Sequence, residues 1–113
     1  MSDDNRFPHQ RTDIYGASME LVARVKRANI KDAVLRDQAE RAAVSTLLAI
    51  GEGLPQDAPR MRKQFFARAH ASLCELVTAT DAAHVGQAMT ESDWGATQAL
   101  AWRVRGMLLA LLR

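Results

Sequence analysis

The chain is poor in the residues that build sheets, staples and membrane spans. Its one cysteine, Cys74, rules out an intrachain disulfide, and a reducing, cytoplasmic setting is expected. Aromatic residues make up only 5%, with three prolines and six glycines in 113 residues. That composition, rich in alanine, favours helices over strands. The longest apolar run, MLLALL at 107–112, is far too short to cross a bilayer, so no membrane partner is expected. The opening MSDDNRFPHQR carries no apolar signal core. Neither charge sign dominates: the net charge is +2, too small for a strong overall field.

Chemistry-bearing patterns are also scarce. No GxxxxGK[ST] phosphate loop and no pair of Glu-x-x-His motifs is present. His9 lies near the amino terminus, and His70 and His84 stand about 20 Å apart along one expected helix, too far to share an ion. No metal ligands, cofactor or catalytic residues are therefore expected. Cys74, with Leu73 and Glu75 beside it and no base, reads as a packed or half-exposed helical cysteine.

What is present is helical periodicity. A chain of this length favours one domain. Ile14, Leu21, Val22 and Val25 share one face of a first helix, capped by Thr12 or Asp13 and ended at Asn29. A second helix starts near Lys31 or Asp32 and runs without glycine or proline to residue 50. The turn GEGLPQDAP follows, with Asp57 as the expected N-cap of a third helix and Pro59 in its first turn. Phe65, Ala69, Ser72, Leu76 and Thr80 form that helix's stripe, and Gly86 ends it. TESD at 90–93 is a capping-box pattern that opens a fourth helix. Four helices with short links give an all-α, up-down-up-down four-helix bundle over residues 12–113. Residues 1–11 read as a disordered lead-in.

The stretch RAAVSTLLAIGEG at 41–53 invites a functional reading of its glycine-bracketed glutamate. Glu52 and Glu75 could act as a general acid and base. The structural alternative places Arg41 opposite Glu75 as a register-fixing pair once the second and third helices fold back. It also brings Ser45 and Ser72 together at a close approach. Glu52 then accepts hydrogen bonds near the turn, and Gly53 belongs to the terminator.

Charge is unevenly distributed. Residues 24–68 hold ten basic and five acidic side chains, whereas 69–102 hold four acidic and no basic ones. Arg24, Arg27 and Lys31, with Lys26, cluster at the end of the first helix. Arg60, Arg62, Lys63 and Arg68 cluster at the start of the third, and Arg103, Arg105 and Arg113 follow in the tail. The first two clusters lie at opposite ends of an up-down bundle and form one patch only through an oligomer. Both are candidates for phosphate contact, against the plainer reading of solvated helix faces. Trp94 and Trp102, near one face of the fourth helix, are candidate interface anchors. Three readings stay open: an oligomeric scaffold contacting RNA or DNA, a protein-interaction module, and an enzyme with a site between subunits.

The segments RAAVSTLLAIGEG and KQFFARAHASLCELVTA resemble the four-helix bundle proteins of the 23S ribosomal RNA-intervening-sequence type. Arg41, Ala42, Ala43, Val44, Ser45, Ile50, Glu52 and Gly53 match the first family motif. Phe65, Ala69, Ser72, Glu75 and Leu76 match the second. Leu47 stands in place of a usual proline, Ala49 of an asparagine, Gly51 of an alanine and Ala71 of a glycine. The family is distantly similar to the accessory protein of diversity-generating retroelements. The resemblance implies a small bundle, a homo-oligomer such as a pentameric ring, no established enzymatic role, and RNA, DNA or a protein as partner.

Overall fold

A computed structural model describes residues 5–113. Four helices carry the chain: α1 (Asp13–Ala28), α2 (Ala33–Gly53), α3 (Pro59–Val85) and α4 (Glu91–Leu112). No strand occurs among the described residues. Three of the starts are set by side chains that accept an orphan backbone N–H. Thr12 accepts from Tyr15, Asp32 from Leu35 and Thr90 from Asp93. α3 is the exception. Its N-cap is Ala58 rather than Asp57, and no side chain caps it. Pro59 at the first helical position supplies a preset φ and lacks the N–H that would go unpaired there.

The ends also differ in detail from the sequence pattern. Asn29 closes α1 in the left-handed conformation, φ 47°. After α3 the left-handed residue is Gln87 at φ 61°, not Gly86. Ala88 N–H then bonds Ala83 C=O at 2.8 Å and Gln87 N–H bonds His84 C=O at 3.1 Å, a Schellman closure. Gly51, Glu52 and Gly53 lie within α2, which therefore runs three residues into the expected turn. Within the segment expected to be disordered, Pro8–Arg11 forms a short 3-10 helix, while residues 1–4 lie outside the described residues.

Cross-helix contacts run in opposite directions on each neighbouring pair. On α2 and α3, Ser45 meets Ser72 while Gly53 faces Phe66. On α3 and α4, Thr80 and Asp81 meet Gln98, and Asp81 also meets Trp94. Arg24, late in α1, reaches Asp93, early in α4. These registers make the α2–α3, α3–α4 and α1–α4 pairs antiparallel, and α1 packs on α2 to close a four-membered ring of helices.

The core draws heavily on alanine from α2 and α3, with Ala39, Ala42, Ala43, Ala49, Ala69 and Ala79 buried in one cluster with the larger Leu73 and Leu76. Small side chains let these two backbones approach closely. Phe66, Leu21, Ile50, Leu76 and Leu108 are fully buried and supply the bulk of the apolar burial. Each contributes about 1.5–3 kcal/mol relative to exposure. Ser18, Thr46, Thr80 and Thr97 are buried too, and each donates its hydroxyl to a carbonyl one turn back, so no polar cost is left open.

Candidate nucleic-acid interface

Antiparallel pairing sets the first turns of α3 beside the last turns of α4. Neither 58–68 nor 103–113 contains an acidic residue, and together they hold seven basic ones. Arg60, Lys63 and Arg113 line one open cleft of about 460 Å³, with Arg62 and Leu111 completing its wall. The sequence showed the two halves of this surface as separate clusters about 40 residues apart. The fold joins them.

These cations differ in how free they are. Arg62 is half-buried: Nη1 donates to the Leu54 carbonyl at 2.7 Å, and its guanidinium stands 5.0 Å from the Phe66 ring centre. It anchors the α2–α3 turn. Arg68 lies 5.4 Å over the Phe65 ring. Arg60, Lys63, Arg103 and Arg113 are exposed and make no ion pair or hydrogen bond among the described residues. Arg60, Arg62 and Lys63 sit at the uncapped N-terminal end of α3, where the helix dipole already presents positive charge and the first turn carries no acidic residue, Asp57 standing just before the N-cap. Cations at that end are unfavourable by a few tenths of a kcal/mol to about 1 each. An anion there relieves the repulsion.

The cluster at the end of α1 behaves differently. Arg24 is committed to Asp93, with side-chain exposures of 23% and 29%, and is thereby withdrawn from the phosphate-contact candidates. Arg27 and Lys31 are exposed at the end of the bundle opposite to Arg60 and Lys63. Asp32, Glu91 and Asp93 lie at that same end, so its field is mixed.

The RAAVSTLLAIGEG positions are structural or solvent-facing. Ser45 and Ser72 share a 2.8 Å hydrogen bond at the α2–α3 approach. Arg41 does not pair with Glu75. Its Nε lies 3.2 Å from Asp37, one turn away on the same helix, and both side chains are mostly exposed. Glu75 shares a shallow groove with Arg41 but faces solvent. A partner one turn away needs no long-range register, so it wins. Glu52 is exposed with no hydrogen bond or ion pair among the described residues. Gly53 is buried, with no positive φ: it is glycine because a Cβ would come within 2.8 Å of the Phe66 ring.

Two features went unread in the sequence. His70 and Cys74, one helical turn apart, bring Nδ1 and Sγ to 3.9 Å, a contact their i, i+4 spacing could have revealed. The tryptophans also diverge. Trp94 stacks on His84 with ring centres 4.0 Å apart, its Nε1 donating to Asp81 at 3.0 Å. Trp102 is 70% exposed, with the Arg105 guanidinium 4.9 Å from its ring centre.

No group of three metal-binding side chains converges among the described residues, and none of their helices is long and apolar enough to cross a membrane. The fold and its surface thus define a small all-α bundle protein with a basic cleft where the start of α3 meets the end of α4. Its residues 10–110 match the model of the 23S rRNA-intervening sequence protein family, and the chain belongs to that family. No curated protein matches it.

Proposed function

We propose that the chain is a non-enzymatic, cytoplasmic binding protein that assembles into homo-oligomers and holds structured RNA or DNA by its phosphates. The observation that carries this reading is the basic cleft shared by the start of α3 and the end of α4, with Arg60, Lys63, Arg103 and Arg113 free to pair. Such cations release condensed counterions from a nucleic acid on binding, which gives affinity without sequence preference. Repeating the surface around a ring multiplies the contacts on one ligand. Self-association is supported by the exposed apolar side chains of Val34 and Leu48 on α2, at 74% and 57%. The same apolar residues favour the second reading, a protein-interaction module that binds no nucleic acid.

The test is fluorescence anisotropy of labelled structured RNA and duplex DNA at about 50 and about 200 mM salt. Several phosphate contacts would weaken binding by about a thousandfold over that range. Binding absent at low salt and tens of micromolar protein would remove the nucleic-acid reading and leave the interaction module. Light scattering on the same preparation gives the subunit number, five for a pentameric ring.

A further inference from the structure

Trp102 is the bulkiest of the exposed apolar side chains among the described residues. Its indole is 70% exposed, on the third quarter of α4, with Arg105 drawn over its ring at 4.9 Å. Trp102 and Arg105 form one side of a cleft of about 370 Å³ between α3 and α4. The other side is apolar at Leu73 and Val77, with polar edges at His70 and Thr78. No acidic residue lines the cleft. His70 Nε2 is shielded from solvent and has no hydrogen-bond partner.

From these observations we infer that Trp102 and Arg105 form a stacking platform for an unpaired base of a single-stranded nucleic-acid segment. An exposed indole offers a π-face to any base, and an adjacent guanidinium adds a second planar, cationic surface. A base entering beside Trp102 lies against Leu73 and Val77 and brings its ring nitrogens and exocyclic groups toward His70. The placement matches the phosphate surface. Trp102 lies on α4 and Arg113 caps its end, about 16 Å further along the axis. A strand running down the α3–α4 groove thus meets the indole with a base and the Arg60, Lys63 and Arg113 cleft with its backbone. Charge favours a nucleic-acid occupant: no acidic residue lines the cleft, and Arg105 beside it with Arg60, Lys63 and Arg113 below offers cations to a phosphate backbone.

The inference rests on the phosphate-contact reading, and its test separates the two. The full chain carrying Trp94→Phe leaves Trp102 as the only tryptophan. It is titrated with a 12-nucleotide single-stranded RNA and with a blunt duplex RNA of similar phosphate count, reading indole quenching and anisotropy together. The expected result is quenching by the single strand and little by the duplex. Trp102→Ala, an exposed substitution checked by thermal melting, then weakens single-strand binding by about five- to a hundredfold and duplex binding by less than twofold. Equal weakening of both ligands, or of neither, overturns the platform while leaving the phosphate reading intact. Loss of oligomer mass in Trp102→Ala with unchanged single-strand affinity also overturns it, and assigns Trp102 to a subunit contact. Absence of binding to either ligand at about 50 mM salt overturns both.

Discussion

Replacing Gly53 by alanine tests the claim that α2 and α3 are held at a backbone separation set by small residues. A Cβ at residue 53 would lie 2.8 Å from Phe66 Cε1 and 3.0 Å from both Phe66 Cδ1 and Phe65 Cβ, whereas ordinary contact begins near 3.4 Å. The obstacle is the ring of a fully buried phenylalanine, not the loose end of a surface chain. Relieving a shortfall of about 0.6 Å there costs about 1–3 kcal/mol in overpacking. Alanine returns less than about 1 kcal/mol of helix propensity at this final helical position. The net expectation is a loss of about 1–2 kcal/mol, or roughly 5–10 °C in Tm. Gly51→Ala is the internal control. Its Cβ would meet only Tyr15 Cε2 at 3.5 Å, an ordinary contact. That variant should gain about 0.5–1 kcal/mol. Urea and thermal unfolding followed by circular dichroism at 222 nm reads both. Shifts in the same direction, or a higher midpoint for Gly53→Ala, would refute the close-packing argument.

Other substitutions address the polar contacts. Arg24→Ala leaves the Asp93 carboxylate, 29% exposed, without its α1 partner and should lower stability by about 1–2 kcal/mol, read from urea midpoints. Arg41→Ala should shift the midpoint by less than about 0.5 kcal/mol, because its Asp37 partner is a mostly exposed i, i+4 contact; a loss above about 2 kcal/mol would show that Arg41 holds another helix. Ser45→Ala should cost about 1 kcal/mol by leaving the largely buried Ser72 hydroxyl unpaired, and Ser45→Ala/Ser72→Ala together should cost less than twice that, as a double-mutant cycle would reveal.

The parts of the fold that were legible in the sequence are the local ones. Thr12, Thr90 and Asn29 announce helix ends because capping chemistry lies within three residues of the boundary. Folding α2 back on α3 also brings Ser45 to Ser72, as chain geometry suggests. Gly53 misleads because a glycine before a proline-rich turn looks like a terminator. Its true constraint, the Phe66 ring, is thirteen residues further on and visible only in three dimensions. Arg41 and Glu75 look complementary on paper, yet Asp37 offers Arg41 a partner without any register requirement. The basic surface was hidden for a different reason. Its halves sit at the start of one helix and the end of the next, so only the antiparallel pairing of α3 and α4 makes them neighbours. Arg24 reads as a phosphate-contact candidate in the sequence because its partner Asp93 is 69 residues away.

The most direct test of phosphate contact at the α3–α4 end is the salt slope of binding. Association constants for a duplex DNA, measured at several salt concentrations, are plotted as log K against log salt for the native chain. The same plot is made for Arg60→Gln/Lys63→Gln/Arg113→Gln and for Arg27→Gln/Lys31→Gln at the opposite end. Each lost phosphate contact lowers the steepness by about 0.9. The triple variant is expected to lose roughly two to three units of slope per subunit engaged, and the double variant almost none. Equal slopes for the native chain and the triple variant would contradict the account.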